Sequence, residues 1–282
     1  MKLLSLLLCV FILSAVCAAE EAEYWDWKGS KLYSEKNYAE ALKSFEKAVS
    51  QDANYTIGWI NRGNAQKALK DYNGSIQSYS RALQLDPENS AAWLGITNAY
   101  LGFNDFGNAS KAADKSPKPS DSWAAIADAY IGLKDFSNAL VAANKAKEAD
   151  PANKKNWLRT GNVLMSQGDY PVALAEYDGA LAIDRQDKDA LYKKGVSLMA
   201  LGKASDAVSL FDQVLTLDPN HKLSLNAKGL ALEVEGKYTD ALASYDAALQ
   251  IDPAFSQALN NKMHVLLALK KQSEAMKIFA ML

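Results

Sequence analysis

Lys155 and Arg159 lie four residues apart. On a helix that spacing brings both cations to one face, where a repulsion of roughly a few tenths of a kcal/mol is relieved by a bound carboxylate or other anion. The plainer alternative is a solvated pair neutralised by Asp121 or Asp189. A second group offers different chemistry: Asn61, Asn64, Asn98, Asn162, Asn226, Asn260 and Asn261. A carboxamide donates and accepts hydrogen bonds at once, so a row of them matches a peptide backbone whatever its side chains. Asparagine is equally a small polar residue for a wet face, and the sequence leaves both readings open. His221 and His264 are the only histidines, and neither has a neighbour at metal-ligand spacing. No glycine-rich phosphate loop occurs, and the acidic residues are scattered. The expectation is no enzyme, no metal and no cofactor. With 23% charged residues, 49% hydrophobic residues and a net charge of −2, the composition is globular and carries no basic patch for nucleic acid.

The elements that would position these residues are repeated. Trp25, Trp59, Trp93, Trp123 and Trp157 are spaced 34, 34, 30 and 34 residues apart. A near-constant period means one supersecondary unit used many times. Eight units start near Ala22, Thr56, Ser90, Ser120, Lys154, Lys188, Lys222 and Ser256. Repeat position 4 holds the five tryptophans and then Leu191, Leu225 and Leu259. Position 8 is small in Gly29, Gly63, Thr97, Ala127, Gly161, Gly195 and Gly229, with Met263 the exception. Position 20 is Ala41, Ser75, Ala109, Ala139, Ala173, Ala207, Ala241 and Ala275. Position 24 is Phe45, Tyr79, Ala113, Ala143, Tyr177, Phe211, Tyr245 and Phe279. Within each half-unit apolar residues recur at helix spacing, as in Ala41, Leu42, Phe45 and Ala48. Small residues at positions 8 and 20 let two helices approach, and the aromatic fills the space beyond. The predicted fold is all-α, a helix-turn-helix repeat solenoid of about sixteen helices. The tryptophans are read as core residues; the alternative is a stacking platform for sugars or bases.

In these positions the chain resembles the tetratricopeptide repeat family, whose pattern runs Trp, Gly, Ala, aromatic, Pro over 34 residues; the resemblance covers residues 22–282. One departure recurs: position 7 is polar in Lys28, Arg62, Thr160, Lys194, Lys228 and Lys262. The resemblance implies a right-handed superhelix whose first helices line a concave groove holding extended peptides, with positions 2, 5, 6, 9 and 12 facing it. The seven asparagines named above and Lys155 and Arg159 fall on those positions. Lys155 and Arg159 match the last two basic residues of a subfamily that clamps a C-terminal carboxylate, and Asn98 matches another member. Leu94 and Ala125 stand where that clamp needs Lys and Asn, so the match implies a local anion spot and not a full clamp. The implied function is a non-catalytic scaffold for a peptide or protein partner. The alternatives are a self-associating structural component of the cell envelope and a glycan-binding accessory.

Residues 1–19 read as a signal peptide or N-terminal anchor: Lys2, an apolar run from Leu3 to Val16, then small residues. This implies an extracytoplasmic, secreted or cell-surface location, with membrane attachment only through residues 1–19 if they are retained. Cys9 and Cys17 both lie in this segment. Export would also give meaning to the sequons at Asn54, Asn73 and Asn108. Units one to three are expected over 20–114, an irregular proline-containing break over 115–119, and units four to eight over 120–282. The break, with Ala113 and Ala143 in place of aromatics, suggests a lightly packed middle that is either a hinge or a rigidly repacked deletion. Met276, Ile278, Phe279, Met281 and Leu282 give the last helix an apolar character suited to self-association.

Overall fold

A computed structural model describes residues 19–280, and every regular element among them is an α-helix. Residues 1–18 of the expected leader, both cysteines, Met281 and Leu282 lie outside the described residues. The chain divides into two compact units, Met1–Ala149 and Asp150–Leu282. The first holds α1 (19–34), α2 (Tyr38–Gln51), α3 (Thr56–Ala68), α4 (Tyr72–Leu85), α5 (Ser90–Gly102), α6 (Phe106–Lys115), α7 (Ser120–Gly132) and α8 (Phe136–Ala149). The second holds α9 (Lys154–Gln167), α10 (Tyr170–Ile183), α11 (Lys188–Ala200), α12 (Ala204–Leu217), α13 (Lys222–Val234), α14 (Tyr238–Ile251), α15 (Ser256–Ala268) and α16 (Gln272–Phe279). The Pro117–Pro119 break lies inside the first unit, where α7 packs on both α5 and α6.

One steric relation builds five of the hairpins. A Cβ placed on Gly29, Gly63, Gly161, Gly195 or Gly229 would come within 2.5–2.7 Å of the ring at position 24 of the same repeat. The helices can therefore close on Phe45, Tyr79, Tyr177, Phe211 and Tyr245 only because position 8 has no side chain. All five rings are buried. Where position 24 is alanine, position 8 regains a side chain: Thr97 in the repeat of Ala113, and Ala127 in the repeat of Ala143. The middle of the array is therefore not thinly packed, contrary to the expectation from its alanines. Ala113, Trp123, Ile126, Ala127, Ala143 and Ala146 form one buried cluster, with Phe106 stacked on Tyr130 at 4.2 Å between centroids. In the last repeat Met263 takes the place of glycine and Phe279 is turned out, 62% exposed. Met276 is likewise exposed, whereas Ile278, expected at that apolar end, is buried.

The tryptophans also differ from the expectation. Only Trp123 is buried; Trp25, Trp59, Trp93 and Trp157 are half-buried. The reason is polar: the indole N–H of Trp59, Trp93 and Trp157 donates to the turn carbonyl of Ala53, Pro87 and Pro151 respectively, six residues upstream. Each ring thus ties a first helix to the preceding turn, leaving one edge near solvent.

Every hairpin turns the same way. Lys36, Lys70, Asn104, Lys134, Gly168, Gly202, Gly236 and Lys270, all at repeat position 15, have φ between 59° and 81°. This left-handed residue ends the first helix, and three repeats supply the glycine that it favours. The next residue then caps the second helix in four repeats: Asp71, Asp105, Asp135 and Asp169 accept from the N–H three residues on.

Candidate functional site

Within each unit, successive odd-numbered helices touch one another: α3 with α5 and α5 with α7, then α9 with α11, α11 with α13 and α13 with α15. Among the described residues no comparable packing joins successive even-numbered helices. The odd helices therefore share a continuous inner face in each unit. Hydrogen bonds cross that face at a fixed register. Asn61 Nδ2 donates to Asp26 Oδ1 at 2.9 Å, and Asn261 Nδ2 donates to Asn226 Oδ1 at 3.0 Å. Each links position 5 of one first helix to position 6 of the next.

Two other candidates are held inside their own repeat. The Tyr79 hydroxyl donates to Asn64 Oδ1 at 2.7 Å and the Tyr177 hydroxyl to Asn162 Oδ1 at 3.0 Å. Their carbonyl oxygens are thereby occupied, while the amide N–H groups remain at the half-buried face. Tyr245 has no asparagine at the matching place and donates to Glu233 Oε2 at 3.0 Å. Burial pushes all three phenols well above their ordinary range, with the Glu233 charge adding to the effect at Tyr245. Asn98 is half-buried and Asn260 exposed. Tyr55, beside the first crossing bond, is raised to about 12 by burial and then by Asp26.

Lys155 and Arg159 both sit on α9, Lys155 exposed and Arg159 half-buried. They are not equivalent. Arg159 Nη1 donates at 3.1 Å to Oδ1 of Asn156, a buried residue whose Nδ2 donates to the Asp150 carbonyl. The guanidinium is thus oriented, while Lys155 is an exposed residue one turn away. Asp189 pairs with Lys193 on its own helix, at 3.7 Å.

The polar residues at position 7 were legible as a departure but not as a device. Arg62, Lys194, Lys228 and Lys262 each reach an acid sixteen residues upstream, on the second helix of the preceding repeat: Glu46, Asp178, Asp212 and Asp246, at 3.6, 2.5, 2.6 and 2.5 Å. In the second unit a further series joins Lys154, Lys188 and Lys222 to Asp184, Asp218 and Asp252, thirty residues on, at 2.6, 2.8 and 2.6 Å. The lysine hydrogen bond holds each of these carboxyls below the usual range. Exposed pairs of this kind set register more than stability. The sequence signal is an acid and a base recurring at fixed offset with the repeat period.

His221 caps α13, its Nδ1 accepting from the Ser224 N–H at 3.2 Å. His264 is exposed. Among the described residues no three His, Cys, Asp or Glu side chains gather as a metal site, and no helix is long and apolar enough to cross a membrane. Asn54 and Asn73 are exposed; Asn108 is half-buried, its Nδ2 donating to Asp105 at 2.7 Å.

Tetratricopeptide repeat models match residues 22–55 and 120–153, 57–89, 161–202 and 192–254, together more than half of the chain. No curated protein sequence matches significantly. Among solved structures, the C-terminal part of a TPR repeat-containing protein from Cytophaga hutchinsonii aligns with a TM-score of 0.65 at 15% identity, over 86% of this chain and 99% of that one. MamA from Desulfovibrio magneticus RS-1 aligns with a TM-score of 0.54 at 17% identity, over 57% and 91%. YrrB, described as a TPR protein with an unusual peptide-binding site, aligns with a TM-score of 0.48 at 22% identity, over 77% and 97%. The first two of these likenesses show the fold.

Proposed function

Because the chain belongs to the tetratricopeptide repeat family, we propose that it is a non-catalytic interaction scaffold that receives an extended peptide along its odd-numbered helices. The observation that carries this reading is that carboxamides stand on the odd-numbered helices within each unit. Asn61 with Asp26 and Asn226 with Asn261 cross between neighbouring helices, and Asn64 and Asn162 are oriented by buried tyrosines. Held side chains bind a backbone with less loss of entropy than mobile ones. Lys155, beside the oriented Arg159, supplies a place for a carboxylate of that peptide. We place the protein outside the cytoplasm, on the leader pattern of residues 1–19.

The test is affinity selection of a displayed peptide library on the full chain, followed by titration of a selected peptide. Binding that weakens when Lys155 and Arg159 are both changed to Ala, and weakens in parallel when the peptide's C-terminus is amidated, supports the reading. Unchanged affinity in both arms removes the basic pair from the site. A self-associating structural role is the second reading, favoured by the exposure of Met276 and Phe279. Sedimentation of the ligand-free protein separates it from the first: a concentration-dependent oligomer lost on Phe279→Ser supports it.

A further inference from the structure

The even-numbered face of the first unit carries a cleft of about 410 Å³ between α4 and α6, floored by Leu83, Trp93, Ile96 and Tyr100 and rimmed by Lys111 and Lys115. Clefts at this place between repeats are not unusual in the chain. One at α12–α14 has about 490 Å³, but its lysine, Lys228, is neutralised by Asp212, and Asp240 lines it too. At α4–α6 that charge pair is missing. The two places it would occupy hold Ser80 and Ile96, and no acidic side chain lines the cleft. Lys111 and Lys115 form no ion pair among the described residues, since the nearby Asp114 reaches Lys145 instead. Asp105, at the start of α6, accepts from the backbone and side chain of Asn108.

The Trp93 ring is also less closely covered by its lysine than Trp25 and Trp123 are. The lysine ammonium at repeat position 26 lies 4.0 Å from the Trp25 ring and 3.8 Å from the Trp123 ring, but 5.9 Å from the Trp93 ring. The floor is apolar and aromatic, the rim carries two cations one helical turn apart, and the volume falls within the roughly 300–1,000 Å³ of small-molecule sites. We propose that the α4–α6 cleft binds a small apolar carboxylate, an aryl or medium-chain alkyl acid, with the hydrocarbon against Trp93 and Ile96 and the carboxylate between Lys111 and Lys115. This cleft opens between two even-numbered helices and includes none of the candidate groove residues, so it stands or falls independently of the peptide face.

The experiment titrates the full chain with phenylbutyrate and octanoate by calorimetry, with phenylbutanol and phenylbutylamine as uncharged and cationic controls. In parallel, ¹⁹F NMR follows protein labelled with 5-fluorotryptophan, the Trp93 resonance being assigned through Trp93→Phe. Saturable one-to-one binding of the acids that shifts the Trp93 resonance, with the alcohol weaker by roughly tenfold or more, is expected from charge-assisted contacts in a semi-apolar site. Changing Lys111 and Lys115 together to Gln should bring the acids down to the alcohol's affinity. Ser80→Phe, which places a ring in the cleft from a half-exposed position, should remove binding of both. The proposal is overturned by no saturation up to about 10 mM, by equal affinity for acid and amine, by indifference to the lysine changes, by a shift at another tryptophan, or by occupancy of the cleft only by a longer peptide.

Discussion

Replacing Gly195 with Ala tests how the repeats are built, because two effects of opposite sign compete at one atom. Alanine favours a helix interior over glycine by about 1 kcal/mol. Were packing irrelevant, Gly195→Ala would therefore stabilise the protein. The added Cβ, however, would stand 2.6 Å from Cε1 and 3.0 Å from Cζ of Phe211, a ring with no exposed surface. Overpacking of a filled core costs about 1–3 kcal/mol, so the expected net effect is destabilisation of up to about 2 kcal/mol. Phe211→Ala alone should cost about 3–5 kcal/mol through lost burial and the cavity left behind. In that background the clash is gone, and adding Gly195→Ala should become stabilising by several tenths to about 1 kcal/mol. Thr97 with Ala113 and Ala127 with Ala143 are natural versions of this exchange. The assay is urea unfolding followed by far-ultraviolet circular dichroism for the two single variants and the double. A stabilising Gly195→Ala in the wild-type background, or effects that add without a change of sign, would refute the reasoning.

Lys134→Gly should stabilise by about 0.5–1 kcal/mol, because Lys134 is held at φ 59°, where a side chain costs more than glycine's extra chain entropy; thermal melting of the pair of proteins checks it. Tyr177→Phe should cost about 1 kcal/mol for the lost bond to Asn162, and the same chemical denaturation reads it. Stability should also fall at both ends of the pH scale. Asp184, Asp218 and Asp252 are depressed in the folded state, so their contribution is present above about pH 4 and lost as pH falls below it. Tyr79, Tyr177 and Tyr245 are raised, so theirs is complete below about pH 10 and lost as pH rises beyond. Urea midpoints measured from pH 2.5 to 11 should show a plateau between these limits.

The repeat was legible because its packing rule is written in residue size. Gly at position 8 and an aromatic at position 24 recur together, and both change together in repeats three and four. The turn is local too: a left-handed residue followed by a cap, as in Gly168-Asp169 and Lys134-Asp135, needs no distant partner. What the sequence does not display is how a side chain divides its hydrogen bonds. Asn64 and Asn162 read as open carboxamides, yet their oxygens belong to Tyr79 and Tyr177, fifteen residues on. Trp59, Trp93 and Trp157 read as core, but an indole N–H seeking a turn carbonyl keeps part of the ring at the surface. The lysines at position 7 appeared as departures from an apolar pattern. Their acids lie sixteen residues upstream in another repeat, and only the register of neighbouring hairpins makes them pairs.

The central claim is that the odd-numbered helices within a unit form a peptide-receiving face. Its most direct measurement is an NMR titration of the full chain, labelled with ¹⁵N at asparagine side chains, with a library-selected peptide. The account predicts saturable shifts of the Asn61, Asn64, Asn98, Asn162, Asn226, Asn260 or Asn261 amides, with Asn54, Asn73 and Asn144, the last on the even-numbered helix α8, unmoved. Shifts confined to the latter three, with the odd-helix amides silent at saturating peptide, would contradict it.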